Sequence, residues 1–357
     1  MQLKDIMNKT YSAWMDTSAP CTDVALSSRV RLARNLGNNP FPNHASPAVL
    51  AGVANQVENA VRQTPELSGL KVIHLSEVSA QDRQVLVEKH LISPQHAKNA
   101  ENRLVILAAD ESVSVMVNEE DHIRIQTLLP GFQLNDAYKL ADKTDDYFES
   151  RLDFAFDENI GYITACPTNV GTGLRVSIMV HLPALVITGQ VKAVLSAVSK
   201  LGIAVRGIYG EGSEALGNMF QLSNQITLGH SEQELIENLA SVTMQVIEQE
   251  RSSRGKLIAE MREQLEDRVQ RAYGLLNHAR LVTSQEALKL ISDVKLGAEL
   301  KLIPEVNGKT INELMVIIQP AYVQYLAGRA LSPTERDAGR ARLIREKIRT
   351  GREGNEK

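Results

Sequence analysis

Cysteine is nearly missing from this chain: Cys21 and Cys166 are the two in 357 residues. Two thiols cannot build a disulfide framework, and they cannot supply a Cys-based zinc site. Such a chain suits a reducing compartment. Aromatic residues are scarce at 4%, with one tryptophan. No apolar run approaches the ~18 residues that a membrane span needs. The longest, Val176 to Ile187, is interrupted by His181 and Pro183. The opening MQLKDIMNKTYSAW lacks the charged-then-apolar pattern of a secretion signal, so a cytoplasmic protein with no membrane partner is expected. A large excess of one charge is also absent: 39 Lys and Arg face 43 Asp and Glu, a formal charge of −4. That balance argues against direct binding of nucleic acid as the main task. Repeats and low-complexity tracts are missing. So is the phosphate loop G-x-x-x-x-G-K-[ST], and GEGSEALG (210–217) has the wrong spacing for a dinucleotide fingerprint.

What is there reads as an ordinary globular chain, long enough for two domains or for one large domain with an appendix. Residues 1–21 read as a short amphipathic helix carrying Trp14 and ending near Pro20. From 22 to about 230 the texture is mixed. Segments 24–32, 112–117, 122–126 and 174–180 alternate with period two, and helix-like stretches at 46–63, 131–155 and 189–201 separate them. The connections are too varied for regular βαβ units. The expectation is an α+β fold with a largely antiparallel sheet flanked by helices. From 231 onward the pattern is helical. Ser231 and Glu234 make a capping box ahead of Leu235, Leu239, Val242 and Val246. RSSRGK (251–256) reads as a hinge, with further breaks near Thr283, Asn307 and Ser332 and a division at Pro320. Ser332, Pro333 and Glu335 mark the start of the last helix. The expected domains are 22–254, mixed and catalytic, and 255–357, all-α.

Several strands place arginine opposite an apolar face. In VALSSRVRL, Val24, Leu26, Val30 and Leu32 share one side, and Arg29 and Arg31 share the other. Arg175 stands opposite Val176, Ile178 and Val180; Arg206 is out of phase with Ile203 and Val205; Arg124 is out of phase with Ile123 and Ile125. One such arginine reads as a solvated strand face. Five of them suit a polyphosphate, because a guanidinium fork pairs two phosphate oxygens and stays charged. Two carboxylate sites adjoin these strands: Glu119 and Glu120 in NEEDH, and Glu211 between glycines. Glu120 falls on the arginine side if its strand runs unbroken; a turn at 118–121 would reset the phase. Beside a phosphate site, such carboxylates could hold a cationic nucleophile and accept its proton.

SSRVRLARN (27–35), NEEDHIRIQ (118–126), CPTNVGTGLR (166–175) and RGIYGEGSE (206–214) together resemble the ATP:guanidino phosphotransferase, or phosphagen kinase, family. The likeness covers roughly 22–254. It implies that ATP is contacted by Ser27, Ser28, Arg29, Val30, Arg31, His90, Arg124, Arg175, Val176, Ser177, Ile178, Met179, Arg206, Gly207, Ile208, Tyr209, Gly210 and Glu211. It implies that Glu120 and Glu211 grip the substrate guanidinium. Cys166 matches the family's reactive cysteine, although a cysteine is often a small buried apolar residue. Mg²⁺ is implied with ATP, held mostly by phosphate oxygens and water. Gly171 and Gly173 are expected to let backbone approach the nucleotide.

The layout is similar to the bacterial protein arginine kinase branch of that family. A helical domain precedes the first block in the creatine and arginine kinases; here that block begins at Ser27, and about a hundred residues follow the catalytic region. The tail reads Arg336-Asp337-Ala338-Gly339-Arg340-Ala341, the branch's R-D-x-x-R-A motif. From the residues alone it is a salt-bridged surface helix, with eight basic and five acidic residues in 333–357. The resemblance instead implies a phosphoarginine-binding, regulatory site at Arg336, Asp337, Arg340 and Ala341. It also implies a homodimer, protein substrates with exposed arginine, a Clp-type unfoldase and protease, a zinc-binding activator protein and a transcriptional repressor of stress genes as partners. The alternatives are a phosphagen kinase for free arginine or another small guanidine, and a non-catalytic phosphoarginine-binding adaptor.

Overall fold

The computed structural model describes residues 3–207, 216–303 and 306–353, with side chains to 350. Among the described residues ten strands are defined: β1 Ala25–Arg34, β2 Lys71–His74, β3 Leu104–Leu107, β4 Val113–Val117, β5 Ile123–Pro130, β6 Phe156–Asp157, β7 Gly161–Tyr162, β8 Leu174–His181, β9 Ile203–Gly207 and β10 Met219–Asn224. Eight of them form one sheet in the order β2-β3-β4-β5-β1-β8-β10-β9; β6 and β7 make a separate hairpin. The pairs β2–β3, β3–β4, β4–β5 and β1–β5 are antiparallel. The α+β architecture expected from the alternating segments is present. No helix among the described residues is long and apolar enough to cross a membrane.

By contacts, the chain divides into two compact units. The first comprises 1–14, 27–178 and 223–241. Its core is the apolar side of the strands, with Val30, Leu32, Val115, Val117, Ile123 and Ile125 all buried. The helix Leu134–Glu149 packs on β5 through Ala137, Ala141 and Phe148. The N-terminal helix is shorter than expected. It spans Leu3–Asn8, and Trp14 sits in a separate 3-10 turn, Ala13–Met15. A buried cation explains the early stop. Lys89 Nζ takes the carbonyls of Ile6 and Lys9, each at 2.7 Å, and pairs with Glu111 at 2.6 Å. Those carbonyls are satisfied without another helical turn.

The second unit comprises 15–26, 179–222 and 242–357. The expected hinge at 251–256 is absent, because the helix Glu232–Glu260 runs through it. Tertiary partners hold those residues. Arg251 forks onto Asp23 at 2.8 and 2.6 Å, and Arg254 Nη2 donates to Asp23 O at 2.9 Å. Within the helix, Arg254 Nε meets the buried Glu250 at 2.9 Å. Glu250 also accepts the amides of Ala184 and Leu185, capping the helix Pro183–Ile187. The later breaks fall where the capping residues stand. Thr283 caps Ser284–Glu299, Asn307 caps Gly308–Ile317, Pro320 opens Pro320–Ala327, and Ser332 with Glu335 boxes the start of Pro333–Glu353.

Candidate active site

The register of β1 against β5 sets the arginine face. Ala33 lies opposite Arg124, and Arg31 opposite Gln126. Directly opposed residues share a side, so Arg29, Arg31, Arg124 and Gln126 face one way while Val30, Leu32, Ile123 and Ile125 face the core. Arg29 Nε donates to Ser177 Oγ at 3.4 Å, which puts Ser177 of β8 on the same side. By alternation Arg175 and Met179 join it. Ser27 shares this phase as well. Ser28, Val30, Val176 and Ile178 have the opposite phase and are fully buried. Ser28 Oγ donates to Gly131 O and accepts Gln133 N, each at 2.8 Å. Any contact these four make with a nucleotide comes from their backbone.

The electrostatics of this face are those of an anion site. Burial, then the charges of Arg175 and Arg124, push Arg29 down to about 10. Burial, then Arg29, Arg124 and Arg175, push Arg31 well below its ordinary value, with Glu119 opposing. Arg31 Nε has no hydrogen-bond partner among the described residues. Holding guanidinium groups together costs energy that a polyphosphate returns. His90 stands at the edge with φ +63° and its ring edge-on to Trp14 at 5.9 Å. Burial, then Arg29, lower it to about 4, so it is neutral near pH 7. Gln126 Nε2 holds its carbonyl at 2.8 Å.

The NEEDH segment is a turn between β4 and β5, with Asn118 at φ +60°. The strand alternation does not reach Glu120, yet Glu120 still meets the arginines. Arg124 divides its fork between Glu119, at 2.6 Å, and Glu120, at 2.7 Å. The two carboxylates differ in access: the Glu119 side chain is 4% exposed and that of Glu120 44%. Burial raises Glu119, but Arg124, the Ser93 hydroxyl and the Glu120 amide outweigh it and hold it below the usual carboxylate range. Glu119 therefore fixes Arg124, and Glu120 is the accessible carboxylate.

Cys166 heads a 3-10 turn, Pro167–Asn169, with its Sγ 3.1 Å from Thr168 Oγ1. A buried clamp ties this loop to the NEEDH turn. Asp121 Oδ1 accepts Asn35 Nδ2 and Ala165 N, each at 2.7 Å. Asn35 also donates to Ile163 O at 3.0 Å and accepts His122 N at 2.9 Å. His122 Nδ1 accepts Leu36 N, and Nε2 donates to Pro40 O, both at 3.1 Å. Arg34 anchors the far side of the loop. It pairs with the buried Asp145 at 2.6 Å, donates to Thr172 O at 3.0 Å and lies 3.5 Å over the Tyr162 ring. Sequence reasoning missed Asn35, Asp121, Arg34 and Asp145. Arg34, Asn35 and Asp121 lie inside the blocks 27–35 and 118–126 without standing out there, and Asp145 is marked only by polarity in a segment that otherwise enters the core. Gly173 also carries a packing constraint that the sequence did not suggest. At φ +67°, a Cβ there would stand 2.5 Å from Arg34 Nη1 and 2.6 Å from Ala33 O, so the close approach is to β1.

Arg206 and Gly207 end β9 in the second unit, both half-buried. Ile208, Tyr209, Gly210 and Glu211 lie outside the described residues. In the tail, Arg336 Nη1 donates to Leu331 O at 2.9 Å. Arg340 is 2% exposed. It donates to Ile318 O and Val282 O at 2.7 Å and pairs with Asp337 at 2.6 Å. Ala341 is buried. Arg340 thus fastens three segments of the helical unit instead of pairing with Arg336 on an open face. Beside the same helix lies a cavity of about 890 Å³, lined in part by Arg280, Arg329, Glu335, Gly339 and Arg342.

Comparison with known proteins matches both parts of the chain. The family described as ATP:guanido phosphotransferase, C-terminal catalytic domain, covers residues 52–253. The family described as Protein-arginine kinase McsB C-terminal domain covers 262–357. A protein-arginine kinase of Moorella thermoacetica is 55% identical over 339 residues, covering 94% of this chain and 97% of that one. One from Brevibacillus brevis is 51% identical over 358 residues, 98% of each. Among solved structures, a lombricine kinase has TM-score 0.58 at 20% identity, over 65% of this chain and 67% of that one, a likeness of fold.

Proposed function

The chain belongs to the ATP:guanido phosphotransferases, in their protein-arginine kinase branch, and from that premise we propose how its residues share the work. It is an enzyme that transfers the γ-phosphoryl group of ATP to arginine side chains of proteins. Arg29, Arg31, Arg124 and Arg175, with Arg206, bind the phosphates and offset charge spread over the transferring group, the largest part of catalysis in phosphoryl transfer. His90, neutral, packs at the edge of that site. The remaining nucleotide contacts are assigned by resemblance to 27–31, 175–179 and 206–211, of which 208–211 lie outside the described residues.

The target arginine must lose a proton to act, because a free guanidinium has a pKa above about 12. Glu120 holds the guanidinium and takes the proton as nitrogen bonds to the γ-phosphorus; the bond from that phosphorus to the ADP oxygen breaks. Glu211 is the second carboxylate, and Cys166 orients the guanidinium. One observation carries this reading: Glu120 already grips a guanidinium fork, that of Arg124, at 2.7 Å on the rim of an arginine-lined face. A substrate arginine presents the same group.

Mg²⁺ fits as an ion carried by the nucleotide. Phosphate oxygens and water would hold most of its coordination sphere. Its chemistry there is to neutralise phosphate charge.

The tail residues Arg336, Asp337, Arg340 and Ala341 form the phosphoarginine-responsive part. Arg340 answers through the segments it fastens. The division at 254/255 separates catalysis from this regulatory and dimer-forming part. The protein works in the cytoplasm as a homodimer. It marks proteins for a Clp-type unfoldase and protease and acts with a zinc-binding activator protein. A repressor of stress genes is among its targets. Glu120→Gln is expected to keep ATP binding and lose turnover by about a hundredfold or more, the usual size of a general-base contribution. Near-normal turnover would overturn the assignment of the base.

A further inference from the structure

Four exposed apolar side chains gather at the loop that carries Cys166. Phe156 is 58% exposed and Ile160 43%; both belong to the β6–β7 hairpin. Ile226 is 57% exposed and Leu228 52%; both follow β10. A line of contacts joins the two pairs across the loop. The Phe156 and Tyr162 rings meet edge-on at 5.1 Å. Tyr162 N donates to Gly171 O at 2.7 Å, and Gly171 N to Tyr162 O at 3.3 Å. A Cβ on Gly171 would stand 3.1 Å from Leu228 Cα. Thr227 Oγ1 donates to Val170 O at 2.6 Å and to Thr168 O at 3.3 Å, and the Thr168 hydroxyl touches Cys166 Sγ. Single exposed apolar residues need no explanation; four on the two sides of one reactive loop do. Asp157 and Glu158, both exposed, add negative charge at the hairpin tip.

We propose that this apolar rim receives an unfolded, extended segment of the protein substrate, with apolar side chains within a few positions of the target arginine. The proposal rests on the protein-arginine kinase reading and names the substrate class it selects. The rim is continuous with the Cys166 loop, so a chain delivering arginine there lies across it. A folded domain keeps most of its large apolar side chains inside and offers few neighbouring ones to cover the rim. The carboxylates of Asp157 and Glu158 suit the further basic residues of an arginine-rich segment.

The test uses the full chain with Mg·ATP and two peptides that place one arginine between leucines or between glycines. The double variant Phe156→Ser, Leu228→Ser removes two exposed side chains that support no core. Covering one such side chain is worth about tenfold or more in affinity. The expected result is a KM for the leucine-flanked peptide raised at least about tenfold, with the glycine-flanked peptide and ATP unchanged. Equal loss on both peptides, or no loss on either, would overturn the proposal while leaving the kinase reading intact. Failure of the unaltered enzyme to phosphorylate arginine in either peptide or in an unfolded protein would overturn the kinase reading, and this proposal with it.

Discussion

Replacing Asp121 by alanine probes the clamp that holds the Cys166 loop against the Glu120 turn. Asp121 is fully buried, and its Oδ1 accepts both Asn35 Nδ2 and Ala165 N–H at 2.7 Å. The substitution leaves two buried donors without an acceptor, at about 1–3 kcal/mol each. Water entering the vacated space recovers part, so the expected loss is about 2–4 kcal/mol, concentrated in the loop. Asp121→Asn keeps one acceptor oxygen, and its new amide takes the place of Oδ2, which has no partner among the described residues. That variant should lose about 1–2 kcal/mol. The assay is hydrogen exchange by mass spectrometry, read with turnover. In the alanine variant, amides across 163–169 should exchange at least about tenfold faster, since each 1.4 kcal/mol is a factor of ten. Amides of β3, buried throughout, should be unmoved. Turnover should fall while the KM for ATP holds. Exchange at 163–169 equal to that of the unaltered enzyme would refute the clamp.

Three further outcomes follow from the same structure. His96 is fully buried, and burial lowers it to about 4 from an ordinary 6.5. Its contribution to stability is therefore intact above pH 6.5 and is lost as pH falls toward 4, about 2 kcal/mol by pH 5. Urea titrations at pH 7 and 5 should show this loss shrink in His96→Gln; an unchanged pH dependence would contradict it. Lys89→Met strands the fully buried Glu111 and should cost about 3–5 kcal/mol, much of which Lys89→Met with Glu111→Leu should restore, so a mild single variant would refute the anchoring role. Asp337→Ala removes one of three contacts to Arg340 and should blunt activation by phosphoarginine with unstimulated turnover kept; normal activation would count against the tail assignment.

The arginine face was legible because apolar residues recur with period two: Val30 and Leu32 in β1, Ile123 and Ile125 in β5, and Val176, Ile178 and Val180 in β8. Arg29, Arg31, Arg124 and Arg175 fall out of phase with side chains that must be inside. The helix starts after Thr283, Asn307 and Ser332 were legible for a similar reason: a side-chain oxygen caps a local backbone donor. What escaped the sequence depends on distant partners. Residues 251–256 look like a hinge until Asp23, far earlier in the chain, holds both Arg251 and Arg254 in the helix. The N-terminal helix stops early because Lys89, far along the chain, takes its carbonyls. Arg340 reads as a surface charge, and nothing local reveals that Ile318 and Val282 accept its bonds. The clamp of Asn35 and Asp121 joins three segments and has no periodic signature.

The most direct measurement is Mg·ATP turnover on an unfolded arginine-rich protein and, separately, on free arginine. Acid-labile phosphate on arginine would be read by phosphorus NMR at neutral pH. The account expects phosphoarginine in the protein and little or none on free arginine. Labelling of free arginine alone would contradict it and return the chain to the kinases of small guanidines.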